Sequence, residues 1–183
     1  MADARVVLRP LAAADRQAFL EAMRASRRLH SPWLSPPYTA AEFASLLRRC
    51  RGERFESLLV CRREDGAIAG FFSLSEIVRG PFQNAFLGYG AVAAHAGRGY
   101  MGEGLELLLA RAFGHTLRLH RVEANIQPSN ATSIGLVRGR GFVLEGRSER
   151  YLKVAGRWRD HERWAIRAEQ WRERHQLTNL RSL

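Results

Sequence analysis

His95-Ala96-Gly97-Arg98-Gly99-Tyr100-Met101-Gly102-Glu103-Gly104 lies between an apolar run, residues 85–92, and a strongly periodic segment, and its reading decides the fold. Leu105, Leu108, Leu109, Ala112 and Phe113 recur at i, i+3, i+4, i+7 and i+8, so an amphipathic helix begins near Gly99. The stretch is the entry to that helix. Its glycines let the backbone turn sharply and approach a ligand, and a helix start carries orphan N–H donors and partial positive charge. Those properties make an anion site, of the kind that takes phosphate.

Gly97-x-Gly99-x-x-Gly102 matches the dinucleotide-binding pattern literally, and Glu123 supplies an acidic residue downstream. The context argues against it. A dinucleotide fold places these glycines straight after the first strand with several βα units to follow, whereas only about 80 residues remain here and they read as one more helix and a hairpin.

Composition sets outer limits. A chain of 183 residues reads as one domain with a substantial core. Cys50 and Cys61 form no metal or redox spacing and point to a reducing, cytoplasmic setting. His161-Glu162 lacks the second histidine of a zinc-protease helix, and no metal site is expected. No apolar run is long enough for a signal segment or membrane span, so neither export nor a membrane partner is expected. The formal charge of +11, carried almost wholly by arginine, fits either work near polyanions such as ribosomal RNA or an arginine-rich composition without that role.

In chain order, residues 5–9 read as a strand ending at Pro10, and about 15–26 as a helix. The segment His30-Ser31-Pro32-Trp33-Leu34-Ser35-Pro36-Pro37-Tyr38 is a stiff loop whose Trp33 is a candidate substrate wall, with core capping as the alternative. Thr39-Ala40-Ala41-Glu42 is a capping box opening a helix to about Arg51. Residues 55–63 and 67–74 form a hairpin about Asp65-Gly66, and a turn at 78–84 precedes the strand 85–92. After the central helix, residues 121–127 alternate, with Val122, Ala124 and Ile126 on one face and Arg121, Glu123, Asn125 and Gln127 on the other. A polar face on an interior strand predicts a wet cleft beside it. Asn130 caps a short helix to about Arg138, a strand starts at Gly141-Phe142, a hairpin turns at Gly156, and residues 169–183 form a polar tail, helical or frayed.

The order βααβββαβαββ, with these glycines and the polar strand, resembles the GNAT acetyltransferase superfamily, most closely its Rim-type branch. The passages that carry the resemblance are Ile77-Val78-Arg79-Gly80-Pro81-Phe82, Leu87-Gly88-Tyr89, Gly97-Arg98-Gly99-Tyr100-Met101-Gly102-Glu103, Leu119-His120-Arg121-Val122-Glu123-Ala124-Asn125, Asn130 with Ser133, Gly141-Phe142, Glu145-Gly146 and Trp158-Arg159-Asp160-His161. The resemblance implies an α+β fold, a mixed and mostly antiparallel seven-stranded sheet with flanking helices, in one domain spanning 1–183. It implies acetyl transfer from acetyl-CoA to the α-amine of a protein N-terminus, typically that of a ribosomal protein. Acetyl-CoA would lie on the amides of Gly97, Arg98, Gly99, Tyr100, Met101 and Gly102, with Arg98 adding charge, Asn130 touching the pantetheine arm and Ala91 lining it. Trp33, Arg79, Tyr89 and Asn125 are the expected acceptor-side residues.

Ala96, Met101 and Gly104 depart from the family's loop, yet none removes a backbone N–H. Counting from Asn130, the family's thiolate-protonating Tyr falls on Val137, which leaves the Rim-type serine, Ser133, one helical turn beyond Asn130. The family's general-base positions fall on Asn125, or on or next to Arg150, and neither accepts a proton. Glu123 is the candidate base or water-holder, with pairing to an arginine as its alternative. A weak base suffices for an α-amine. With a pKa near 7.7–8.0 it is roughly 10–20% neutral at pH 7, against about one molecule in two thousand for a lysine amine. Backbone N–H groups near Tyr89-Gly90-Ala91 would face the oxyanion. Two other readings stay open: acetylation of a small amine such as an antibiotic, amino acid or polyamine, and a ribosome-binding module without catalysis.

Overall fold

The computed structural model describes residues 4–180. Its elements run β1 (Val6–Pro10), α1 (Arg16–Ala25), α2 (Arg27–His30), α3 (Ala40–Arg49), β2 (Phe55–Arg62), β3 (Ile68–Val78), β4 (Asn84–Ala91), α4 (Tyr100–Phe113), β5 (Arg121–Ile126), α5 (Ala131–Arg138), β6 (Val143–Val154), β7 (Arg157–Arg167) and α6 (Ala168–Leu180). This is the expected order with a one-turn α2 added and the polar tail formed as α6. Residues 181–183 of that tail lie outside the described residues.

Local chemistry accounts for the boundaries. Glu42 N donates to Thr39 Oγ1 at 3.2 Å while Glu42 Oε2 accepts from Thr39 N at 2.9 Å, so the reciprocal cap opens α3. Gly66, at φ 72°, makes the tight return from β2 to β3.

Seven strands form one sheet in the order β1-β2-β3-β4-β5-β7-β6. Every neighbouring pair is antiparallel except β4–β5, so the sheet is mixed and mostly antiparallel, as the resemblance implied. Alternation along the strands supplies two cores. Val60, Phe72 and Leu74 pack with Leu105, Leu108 and Leu109 of α4. Their chain neighbours Leu59 and Phe71 face the other way, onto Phe19 and Met23 of α1 and Phe43 of α3. Each such side chain, fully buried, contributes roughly 1.5–3 kcal/mol.

One pairing is incomplete. β4 runs beside β3 from Asn84 to Ala91, and β5 runs beside β7 from Arg121 to Ile126. Between β4 and β5, however, only Asn84, Ala85 and Phe86 find partners, in Arg121, Val122 and Glu123. Beyond them the two strands part, and residues 87–91 and 124–126 face each other across an opening whose lips are main chain. That opening lies beside the glycine turn that starts α4.

Candidate active site

Gly97 and Gly99 sit at φ 75° and 86°, left-handed positions that favour glycine, and Gly99 is the N-cap of α4 without any side-chain cap. Gly102 N and Glu103 N bond back to the Gly99 carbonyl at 2.9 and 3.1 Å. The amides of residues 97–101 donate to no backbone carbonyl among the described residues. A row of unpaired amides at the start of a 14-residue helix is a cradle for a phosphate group.

Long-range contacts shape this cradle. Arg5 donates from Nη2 to the Arg98 carbonyl at 2.9 Å and from Nε to Glu103 at 2.7 Å, with its guanidinium 4.9 Å from the Tyr100 ring centroid. Arg140, in the turn after α5, donates from Nε to the Gly102 carbonyl at 2.9 Å. A Cβ at Gly102 would run into that guanidinium. Met101 packs over Gly70 of β3, whose missing side chain makes the room.

From the turn a cleft of about 380 Å³ runs along the end of β4, walled by Leu29, His30, Ala91, Leu136 and Arg140. Unpaired amides beside an arginine, continuing into an apolar trough, fit a pyrophosphate followed by a pantetheine arm. His30 is buried, and its Nε2–H donates to the Ala91 carbonyl at 2.8 Å, fixing the end of β4. Burial holds the His30 pKa below the ordinary histidine value, so the ring is neutral near pH 7.

A second cleft of about 280 Å³ opens on the β5–β7–β6 side, with Phe86, Asn125, Gln127, Leu152 and His161 on its walls. The two clefts share Trp33, Leu34, Tyr89, Asn130 and Ser133. At this junction Asn130 Oδ1 accepts from Ser133 N at 3.1 Å, capping α5, so the cap uses the backbone of Ser133 and leaves its hydroxyl free for other work. That hydroxyl shares a hydrogen bond with the Tyr89 hydroxyl. Burial pushes the Tyr89 pKa up to about 12, against the smaller opposing effect of the Ser133 hydrogen bond, so the phenol keeps its proton.

Gly97, Gly99, Tyr100, Met101, Gly102, Ala91, Asn130 and Ser133 are thus gathered on one cleft, and Trp33, Tyr89 and Asn125 on its neighbour. Asn125 Oδ1 is buried without a hydrogen-bond partner among the described residues. Three expected residues stand elsewhere. The Arg98 side chain is absent from the cleft wall, and its residue enters the site through the backbone. Arg79 is exposed in the β3–β4 turn, where its guanidinium donates to the Leu117 carbonyl and ties that turn to the segment after α4. Glu123 accepts from Arg121 Nε at 3.0 Å, while Arg121 Nη1 reaches Glu145 at 2.8 Å, and Glu123 lines neither cleft. Its placement is that of the ion-paired alternative, and the role of base is withdrawn from it. Val137 is fully buried in the core.

Reading the sequence alone missed Arg5, His30, Arg140 and His161. Arg140 stands in the basic, glycine-rich Arg138-Gly139-Arg140-Gly141, and His161 in the Trp158-Arg159-Asp160-His161 block, which are the only local signals.

Comparison with known proteins gives a concordant picture. Residues 5–143 match the family model described as Acetyltransferase (GNAT) domain. The chain is 41% identical over 102 residues to "Probable N-acetyltransferase YjcK" of Bacillus subtilis, the match covering 56% of each protein. It is 35% identical over 108 residues to the "[Ribosomal protein uS5]-alanine N-acetyltransferase" of Escherichia coli, covering 59% of this chain and 55% of that one. The match thus spans about half the length of these curated relatives. Among solved structures, Mycobacterium smegmatis RimJ in complex with CoA-disulfide superposes with a TM-score of 0.81 at 29% identity, over 90% of this chain and 83% of that one. The spermidine N-acetyltransferase of Vibrio cholerae, in complex with CoA and spermine, superposes with a TM-score of 0.78 over 92% and 99%, and its 22% identity speaks to the fold alone.

Proposed function

The chain belongs to the GNAT acetyltransferase family, and from that premise we propose that it transfers the acetyl group of acetyl-CoA to the α-amine of a protein N-terminus, that of a ribosomal protein in particular. One observation carries the choice of acceptor: no Asp or Glu is among the residues lining the acceptor-side cleft. A polyamine arrives with several positive charges and needs carboxylates to meet them, in a protein that already carries a formal +11. An α-amine carries at most one charge and sheds it near neutrality. The alanine N-acetyltransferase similarity to the Escherichia coli relative supports the same reading.

The chain's own groups divide the work. Unpaired amides at residues 97–101, with Arg140 beside them, hold the pyrophosphate. Leu29, Ala91 and Leu136 cover the arm and bring the thioester to the junction at Tyr89 and Ser133. Backbone N–H groups at the free lip of β4 are placed for charge developing on the carbonyl oxygen. Ser133 donates its proton to the departing thiolate, and Tyr89, protonated at neutral pH, stands behind it to replace that proton. Most of the rate comes from holding amine and thioester in contact.

The test is turnover of acetyl-CoA on peptides beginning Ala, Ser, Met and Thr beside spermidine and free amino acids. At least a tenfold higher kcat/KM on one of the peptides is the expected outcome. Preference for spermidine would transfer the assignment to small amines.

A further inference from the structure

With Glu123 lining neither cleft, the proton that the attacking amine must lose needs another acceptor, and β7 carries a titratable side chain on the acceptor-side wall. We propose that His161 is the general base of the acetyl transfer, taking the amine proton on Nε2. This inference rests on the acetyl-transfer reading but not on which amine is acetylated.

His161 is 3% exposed, yet it forms part of the wall of the acceptor-side cleft together with Asn125 and Ser133. Its Nδ1 lies 3.0 Å from the Arg159 carbonyl, which can only accept, so Nδ1 carries the hydrogen and the lone pair is on Nε2. Among the described residues Nε2 has no hydrogen-bond partner. The tautomer is therefore set by the main chain, and the one basic atom of the ring is left for whatever enters the cleft. The ring shares that cleft wall with Ser133, which also lines the neighbouring cleft.

The surrounding hairpin is built to hold the ring there. The register of β6 against β7 slips between Ser148 and Leu152, and Arg150 takes φ 45° within the slip. Asp160 fastens it, accepting from Arg150 N at 3.0 Å and from Arg147 Nη2 at 2.8 Å. The bulge leaves Ser148 paired with His161 and brings the Tyr151 ring to 6.3 Å from the imidazole centroid.

Burial, and not the surrounding charge, favours the neutral form of the ring. Strand alternation puts Arg159 and Arg163 on the same face of β7 as His161, and β5 contributes the neutral Asn125, which pairs with Arg163. Asp160 is the nearest acid and acts in the opposite direction, as does the bond to Arg159, but burial is the larger effect and holds the pKa below the ordinary value. A neutral imidazole at pH 7 is the form that accepts a proton.

The step balances without another reagent. The neutral amine nitrogen bonds to the thioester carbon, and its N–H proton passes to His161 Nε2, directly or through one water. The C–S bond breaks, and the thiolate takes a proton from Ser133. His161 then returns its proton to solvent, and Ser133 regains one through Tyr89.

His161→Gln should be assayed on whichever amine of the peptide and small-amine panel the wild-type protein acetylates fastest, with acetyl-CoA affinity and melting temperature measured on the same preparations. The expected result is a fall in kcat of about 10²-fold with acetyl-CoA affinity unchanged. In His161→Ala, added imidazole should restore activity at least tenfold, in proportion to its neutral fraction as pH is varied. Wild-type kcat in His161→Gln would overturn the proposal. So would a loss that follows melting temperature and that imidazole does not rescue. A wild-type protein that binds acetyl-CoA but acetylates no amine in the panel would overturn the acetyl-transfer reading itself, and the base with it.

Discussion

Ser133 does two separable things, and the separation makes it testable. Its amide completes the α5 cap with Asn130, while its hydroxyl bonds Tyr89 at the meeting of the clefts. Ser133→Ala keeps the first and deletes the second, so kcat should fall by about 10²-fold with acetyl-CoA affinity and melting temperature nearly unchanged. Unchanged kcat in a folded variant would leave positioning and main-chain amides to account for the rate. The Asn130 cap was legible in the sequence because a cap is local geometry, and Ser133 was singled out by the family resemblance, one helical turn further on. Glu123 and Arg79 were not, because a charged side chain in an arginine-rich chain has many partners within reach, and its rotamer is decided by residues far away in sequence. For Glu123 the decisive neighbour was two positions off, Arg121, but Arg121 is itself oriented by Glu145 across the sheet. His161 escaped notice for a related reason: the Asp160-pinned bulge that positions it is formed by pairing with β6, which periodicity does not record.

Among elements, the start of α4 was readable to within a residue, since five apolar positions at helical spacing follow directly on the glycines. Gly99→Val tests its entry. The substitution forces a β-branched residue to φ 86° and sets a Cβ about 3.1 Å from Arg5 Nη2, disturbing the staple to Glu103 as well as the amide cradle. Acetyl-CoA affinity measured by calorimetry should drop at least tenfold, about 1.4 kcal/mol. Wild-type affinity in a folded variant would remove the phosphate site from this turn. The β6–β7 ribbon was legible only as a short hairpin. β6 is an edge strand with most of its side chains exposed, so no apolar alternation marked its 12 residues. The tail helix was equally opaque, being polar nearly all round, and α6 owes its docking to particular contacts such as Trp171 on Phe113, with ring centroids 6.0 Å apart.

At the scale of the whole molecule, the formal charge of +11 is a property that no single site explains. If it serves encounter with the proposed ribosomal substrates, the protein should sediment with ribosomes at low ionic strength and come away by about 0.5 M salt, since phosphate contacts are steeply salt-dependent. Absence from the ribosomal pellet at low salt would leave the arginines without that role. No helix among the described residues is long and apolar enough to cross a membrane. The sheet itself has a further consequence. Three residue pairs join β4 to β5, so two blades, β1 to β4 and β5 with β7 and β6, share one narrow seam. Blades joined in this way should open independently, and amide hydrogen exchange should be fastest along the facing lips, residues 87–91 and 124–126. Acetyl-CoA laid between them would act as a missing strand, and its binding should slow exchange on both lips together; slowing on β4 alone would mean that the ligand leans on one blade only. Where both lips slow, acetyl-CoA is also a structural member: the protein is stiffest while loaded and loosens on letting its ligand go, so each round of binding and release is also a round of clamping and opening in the sheet.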